Sequence, residues 1–304
     1  MFLNKCSAFV TSAAAEENAA LALGESSLLL GGMLIQRLAI VTNLTKPGAA
    51  ALSEELAAVA RERGVAVAVL TDFPLAATAL EGFDACAVLG GDGTLLGAVR
   101  PAVRAQVPLF GINRGKLGFL ANYSSENAKE SLSEVLAGEF QTVRRALLEC
   151  RTGEGHHALA LNDVVLKAAD PSRLVRLRVF SQQAGLINVY RGDGLILCTP
   201  TGSTAYNLGA GGPLLDPVAE VFALTPICPH TLSNRSVILP RGTVIEIEEE
   251  ERHEALSLAV DGGTFLATCT SFPVQVRVAE ETLPLLQPKG LSHYELLRTK
   301  LRWA

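Results

Sequence analysis

Residues 84–104, DACAVLGGDGTLLGAVRPAVR, constrain the fold of this chain more than any other stretch. The apolar run 85–89 predicts a fully buried strand. It ends at Gly90-Gly91-Asp92-Gly93-Thr94, and a helical pattern follows with Leu95, Leu96 and Val99 on one side. Strand, glycine turn and helix in that order aim backbone N–H groups at a phosphate. The glycines would permit close approach and unusual φ/ψ values. Asp92 is the anomaly, because a carboxylate repels a bare phosphate. It must either hold a divalent cation or accept a proton, and both tasks belong to phosphoryl transfer. The turn is not the G-x-G-x-x-G fingerprint, since Leu96 stands where the last glycine would be. A tight βα turn with a solvated Asp92 would also account for GGDGT taken alone.

The surrounding sequence extends the same architecture. Runs at 38–42, 65–70 and 107–112 predict three more buried strands, and 49–63 and 125–136 have helical spacing. Strands alternating with helices imply right-handed βαβ units and a parallel sheet, with ligands at the carboxyl ends of the strands. That edge gathers Asn43, Lys46, Asp92, Asn113 and Arg114. The stretch GINRGKLGFL at 111–120 carries three glycines and reads as a loop, with Arg114 and Lys116 as cations near the phosphate edge or as a solvated basic loop.

The texture changes near Thr142. Short β-rich runs follow at 146–151, 158–167, 174–180, 186–190, 195–199, 237–239, 244–249, 256–260 and 274–278, which predict an antiparallel sandwich or sheet pair. Residues 293–304, HYELLRTKLRWA, are helix-like and are expected to pack back on the first domain. The expected organisation is an extension at 1–33, an α/β domain at 34–142, an all-β domain at 143–280 and a returning segment at 281–304. Lys5 is the only basic residue in 1–33, and no signal-peptide pattern is present there, so a poorly ordered extension is expected.

Composition narrows the function classes. A net charge of −5 gives no electrostatic case for nucleic acid or a membrane surface. Six cysteines without a C-x-x-C pair predict reduced thiols in a cytoplasmic protein, with neither a disulfide framework nor a zinc ribbon and no protein-held metal. No apolar run is long enough to span a bilayer.

Two stretches in the second half carry chemistry. Asn162-Asp163 interrupts ALALNDVVL, and buried polar neighbours in a strand need partners. Asn offers a donor and an acceptor to an adenine edge, and Asp accepts from a ribose hydroxyl; an Asx turn is the plainer alternative. The second stretch is Arg191-Gly192-Asp193-Gly194 followed by LILCTPTGSTAY, where four hydroxyl residues crowd around one Pro and one Gly. Short hydroxyls and exposed N–H groups suit a polyhydroxylated, phosphorylated ligand, and Tyr206 can stack on a ring.

GGDGT, GINRGKLGFL, LND, DGLILCTPTGSTAY, AGGPLLDP, PHTLSNR and LLRTKLRW, in order across residues 36–304, together resemble the bacterial NAD kinase family, the ATP-NAD kinases. The resemblance implies a Rossmann-like N-terminal domain and an all-β, sandwich-like C-terminal domain. It implies transfer of the ATP γ-phosphoryl group to the 2′-hydroxyl of the adenosine ribose of NAD, giving NADP, with Mg²⁺ accompanying ATP. By the same resemblance Asp92 is the proton acceptor and Gly93 adjoins the ligand. Asn162 and Asp163 contact adenosine, while Arg191 and Asp193 lie near the nicotinamide end, partly across a subunit contact. Thr201, Thr204, Ala205 and Tyr206 form the dinucleotide cradle, which continues through Asn207 and Gly209, and Arg173 is a less fixed basic contact. Gly263 in VDGG stands where relatives often carry Gln, and Gly209 where a small hydroxyl residue is common. Polyphosphate is an alternative donor, and a homodimer or homotetramer is expected. Rival readings are a lipid or sphingoid-base kinase sharing a GGDGT-like turn, and an idle NAD(P)-binding sensor.

Overall fold

The computed structural model describes residues 34–113, 118–170, 172–231, 233–250 and 256–303. The expected extension at 1–33, and the cations Arg114 and Lys116, lie outside them.

The first part alternates as its periodicity requires. Strands β1 (Arg37–Thr42), β2 (Ala66–Leu70), β3 (Ala85–Leu89) and β4 (Leu109–Asn113) pair in parallel in the order β4-β3-β1-β2. Every residue of β3 and β4 is buried, which is why both read as unbroken apolar runs. Helix α1 (Ala49–Glu62) and helix α2 (Asp92–Ala105) supply the crossovers. Leu95, Ala98, Val99 and Ala102 of α2 pack on one face of the sheet with Ala39, Val41, Cys86 and Val88. Leu56, Ala57 and Ala60 of α1 pack on the other with Leu38, Ile40, Ala85 and Ala87. The short β5 (Tyr123–Ser124) pairs with β4, and α3 (Ala128–Leu136) follows a 3-10 turn at Ser125–Asn127. The 111–120 stretch expected as a loop begins inside β4, so Asn113 ends a strand.

The second part comprises β6 (Gln141–Arg151), β7 (His157–Ala160), β8 (Asp163–Ala168), β9 (Val175–Ser181), β10 (Gly185–Gly192), β11 (Gly194–Cys198), β12 (Val221–Ile227), β13 (Val237–Pro240), β14 (Ile245–Glu249), β15 (Leu256–Val260), β16 (Gly263–Cys269) and β17 (Val274–Gln287). A short α4 (Tyr206–Gly209) and the final α5 (His293–Leu301) complete the element order. Strands β13-β12-β11-β8-β15-β16 form a six-stranded antiparallel sheet. Its inner face meets β6, β9, β14 and β17 in one core that contains Leu166, Leu197, Phe222, Leu224 and Leu258 from one side and Leu148, Leu177, Ile245 and Val276 from the other. The sandwich geometry follows from that shared core.

Strand β17 joins the two parts. Its first residues pair with β14, Leu285 pairs in parallel with Leu109 of β4, and β6 runs antiparallel along most of its length. An 11-stranded sheet therefore runs from the parallel α/β layer into the sandwich. Residue 280, where sequence texture ends the β domain, falls inside this strand. A register shift between Val278 and Thr282 sits at that place.

Besides the short β5, two strands of the second part escape sequence reading. Strand β12 carries Pro226, which removes a ladder donor and argues against a central strand. Strand β16 is largely solvent-facing and weakly patterned. The run expected as one strand at 158–167 is two: β7 joins the larger sheet and β8 the smaller, and the chain changes sheets at Leu161-Asn162. Among the described residues no helix is long and apolar enough to cross a membrane.

Phe222 has no exposed surface and fills the core between the sheets. Phe222→Ala should lower the unfolding free energy by about 3–5 kcal/mol in urea titration. A loss below about 1 kcal/mol would show that the two sheets do not share this core.

Candidate functional site

Asp92 opens α2, with Gly91 as the preceding cap residue in an extended conformation. Its side chain is tied down from outside the helix. Oδ2 accepts from the Phe119 N–H at 2.9 Å, and Oδ1 accepts from Leu120 at 3.2 Å and Ala121 at 3.0 Å. Hydrogen bonds to a charged group contribute about 1.5–3 kcal/mol each, so this clamp fixes both the carboxylate and the 119–121 backbone. Gly118 makes the clamp sterically possible, because a Cβ there would stand 2.1 Å from Asp92 Oδ1. The glycines of GGDGT meet the expectation in part: a Cβ on Gly90 would stand 2.3 Å from Thr94 Oγ1, the close approach its sequence implied. None of them has a positive φ, and a Cβ added at Gly91 or Gly93 would meet no atom of the chain within 4 Å. Gly93 is exposed, so its backbone is open to a ligand.

Asn162 and Asp163 occupy the corner where the chain passes between sheets. Asn162 is half-buried and Asp163 is 4% exposed. Burial, reinforced by the nearby Asp261 charge, pushes the Asp163 carboxyl up to about 6. The corner backbone is fully engaged. Asp261 accepts from the N–H groups of Leu161 at 2.8 Å, Asn162 at 2.6 Å and Asp163 at 3.2 Å, and the Thr199 N–H donates to the Asn162 carbonyl at 2.9 Å.

The TPTGSTAY turn sits against this corner. A Cβ on Gly202 would fall 2.0 Å from the Asn162 carbonyl oxygen. Thr199 donates to the Leu161 carbonyl at 2.5 Å and accepts from the Gly202 N–H at 3.0 Å. Ser203 donates to the Pro200 carbonyl at 2.7 Å and accepts from the Leu215 N–H at 3.0 Å, so it fastens the AGGPLLDP segment. Asn207 is fully buried; its amide donates to the Pro213 carbonyl at 2.9 Å and accepts from Thr225 at 2.7 Å. The Asn207 side chain is thus engaged inside the fold, where it holds the turn. Thr201, Thr204 and Ala205 are half-buried, while Gly209 is exposed. Thr204 donates to the Thr201 carbonyl at 3.3 Å.

Tyr206 marks the other end of the cradle. The residue is 38% exposed and its ring lies under Lys167, with Nζ 4.4 Å from the centroid. Lys167 stands directly across the ladder from Gly194, beside the exposed Asp193. The Asp193 carboxylate in turn accepts from the exposed Cys228 thiol and pushes its pKa up. Arg191 is exposed, and its carbonyl accepts from the His230 N–H at 2.9 Å. Arg173 is exposed and pairs with Asp170 at 3.7 Å. The site therefore has two ends, with Asn162 and Asp163 at the start of β8 and Tyr206, Lys167 and Asp193 near its finish. Four steps of extended strand separate Asp163 from Lys167, about 13 Å. Leu95 and Leu120, which flank the Asp92 clamp, share one apolar cluster with Leu161, so clamp and corner rest on the same core.

Sequence reasoning missed Lys167 and Asp261. The signal for Lys167 was a single charge inside the buried run VVLKA; Asp261 lies in an Asp-Gly pair that turn chemistry alone explains.

Residues 74–140 match the ATP-NAD kinase N-terminal domain, and residues 161–287 match the ATP-NAD kinase C-terminal domain. The NAD kinase of Burkholderia multivorans is 37% identical over 287 residues, which is 90% of this chain and 95% of that protein. The chain belongs to the NAD kinase family. The NAD kinase of Burkholderia ambifaria is 41% identical over 224 residues, 72% of this chain and 74% of its own length. Yeast NADH kinase complexed with NADH has the same fold, with a TM-score of 0.80 at 23% identity over 89% of this chain and 88% of that one. So does an NAD kinase from Archaeoglobus fulgidus in complex with ATP, with a TM-score of 0.72 at 24% identity over 88% of this chain and 98% of that one.

Two outcomes check the geometry. Gly118→Ala and Gly202→Ala each place a methyl group on a fixed neighbour, so each should cost about 1–3 kcal/mol of stability in thermal or urea unfolding. Gly118→Ala should impair turnover and Gly202→Ala should impair dinucleotide binding; wild-type behaviour in both would contradict the contacts. The second outcome concerns pH. The folded-state pKa of Asp163, about 6, lies above its ordinary value of 3.8, so its contribution is favourable in acid and is lost as pH rises through 6. Asp163→Asn should stabilise the ligand-free protein at pH 8 by roughly 1–3 kcal/mol and leave stability at pH 4 unchanged. Equal effects at both pH values would contradict it.

Proposed function

We propose that this NAD kinase family member transfers the γ-phosphoryl group of ATP to the 2′-hydroxyl of the adenosine ribose of NAD, with Asp92 accepting the hydroxyl proton. The observation that carries this reading is the clamp on Asp92. A carboxylate offers about four acceptor positions. Among the described residues two N–H groups bond Oδ1 and one bonds Oδ2, which leaves Oδ2 to accept the hydroxyl proton in this reading, and the next residue, Gly93, is exposed.

A secondary hydroxyl is a weak nucleophile at neutral pH, and its activation needs placement and proton removal together. In this reading the Asn162–Asp163 corner and the hydroxyl-rich turn hold the adenosine. The ribose oxygen bonds to the γ-phosphorus while its proton passes to Asp92 Oδ2. The bond from the γ-phosphorus to the β–γ bridging oxygen breaks, and ADP departs. Asn162 presents both a donor and an acceptor to an adenine edge, and Asp163 accepts from a ribose hydroxyl. Tyr206, Lys167, Asp193, Arg191 and Arg173 form the rim for the nicotinamide end. Thr201, Thr204, Ala205 and Gly209 line the cradle by position, with Asn207 bracing it from beneath.

Among the described residues no three His, Cys, Asp or Glu side chains gather as a metal-ligand set. In this reading the Mg²⁺ expected with ATP belongs to the donor, held by phosphate oxygens and water. ATP is favoured over polyphosphate because the Archaeoglobus fulgidus protein of this fold is described with ATP. The exposure of Arg191 and Asp193 suits a rim closed by a second copy of the chain, in a homodimer or homotetramer.

Asp92→Asn should bind NAD by calorimetry yet lose about 10²–10⁴-fold in kcat for NADP formation with ATP and Mg²⁺. Turnover near the wild-type rate at saturating substrates would remove Asp92 from the role of base.

A further inference from the structure

The hairpin between β15 and β16 carries a carboxylate whose work exceeds the needs of its turn. Asp261 and Gly262 take φ values of 50° and 75°, the two positive angles of a type I′ hairpin, and Val260 pairs with Gly263 across it. Asn would fill that turn as well as Asp. Yet both Asp261 oxygens are committed elsewhere. Oδ2 accepts from Leu161, and Oδ1 accepts from Asn162 and Asp163. The Asp261 N–H also donates to the Asp163 carbonyl at 3.0 Å. Leu161 and Asn162 lie between β7 and β8, where no ladder satisfies their N–H groups. An unsatisfied buried donor costs about 1–3 kcal/mol, so without an acceptor this corner would rearrange.

We infer that Asp261 is a positioning residue for the dinucleotide, holding the Asn162–Asp163 corner so that both side chains face the adenosine. The inference rests on the reading of that corner as the adenosine site. Asp261 does not touch the ligand; it acts through three main-chain N–H groups. Its charge also faces Asp163 directly. Among the described residues Cys198, opposite it on β11, also faces Asp163, and burial pushes its thiol up to about 12, so it stays neutral. Removing the Asp261 charge therefore lowers the Asp163 pKa, and binding that needs the Asp163 carboxylate extends to more acid pH.

The decisive variant is Asp261→Asn in the full chain, because it keeps the turn and loses the charge and one acceptor. The dissociation constant for NAD, titrated calorimetrically without ATP, should rise about tenfold to a hundredfold. The KM for ATP and kcat at saturating NAD should stay at wild-type values. The acid limb of the NAD-binding profile should move to lower pH, a change that simple loosening of a hairpin would not produce. Hydrogen exchange at the amides of 161–163 should accelerate while β8 beyond them stays protected. An unchanged NAD dissociation constant with unchanged exchange at 161–163 would overturn the inference. If the variant fails to fold, exchange in the wild-type protein decides: protection at 161 and 162 equal to that of β8 supports the clamp, and free exchange there refutes it. A wild-type protein that binds NAD but forms no NADP would defeat the kinase reading while leaving the binding comparison intact.

Discussion

Three consecutive main-chain N–H groups converge on the Asp92 carboxylate, and the candidate site is built outward from that clamp. Its effect runs in two directions. It fixes the first residue of α2 relative to the segment that follows β4, so the carboxyl edge of the parallel sheet has a defined shape. It also restricts the carboxylate to one orientation, with one N–H on Oδ2 and two on Oδ1 among the described residues. Positioning of this kind removes the reorganisation that a free surface carboxylate would need before taking a proton. The same device recurs at Asp261, which collects the N–H groups of 161–163. In the proposed reading one carboxylate orders the chemistry and the other orders the binding corner.

The fold explains why these two clamps can cooperate. Strand β17 pairs with β4 of the parallel layer and with β6 and β14 of the sandwich, so the layers share a backbone ladder. Leu161 enters the same apolar cluster as Leu95, Leu120, Leu283 and Leu285. A change of packing at β17 would therefore reach the Asp92 clamp and the Asn162 corner together. The corner exists because the chain leaves one sheet at Ala160 and enters the other at Asp163. Two residues must cross without ladder partners, and the polar Asn162-Asp163 pair stands at that crossing. Stability is conceded there: Asp163 is buried and its ionisation is resisted by burial and by Asp261. Strain of that sort is expected where a ligand supplies the missing partner.

Much of this was legible in the residues. The apolar run 85–89 is β3 to the residue, and the helical spacing after GGDGT is α2. Asp92 stands out in sequence because a carboxylate in a phosphate-type turn repels a bare phosphate. What sequence could not supply was partnership over distance. Nothing near Asp92 announces that residues 119–121 donate to it, and Gly118 looks like one more loop glycine until its missing Cβ is seen to face Oδ1. Asn207 reads as part of a ligand motif, yet its amide is spent inside the fold on Pro213 and Thr225. Asp261 hides in a common turn dipeptide. The 158–167 run has continuous strand periodicity, and only the two-sheet architecture shows that it must break at 161–162. Local pattern specified elements; long-range hydrogen bonding specified the roles of their residues.

The most direct test of the central claim is a crystal structure of the chain with NAD bound, read at a single distance. The account predicts Asp92 Oδ2 within about 2.6–3.2 Å of the adenosine 2′-oxygen, or joined to it through one water, with Phe119, Leu120 and Ala121 still donating to the carboxylate. A dinucleotide seated elsewhere, with Asp92 turned away from the adenosine ribose and still fully occupied by the backbone, would contradict it.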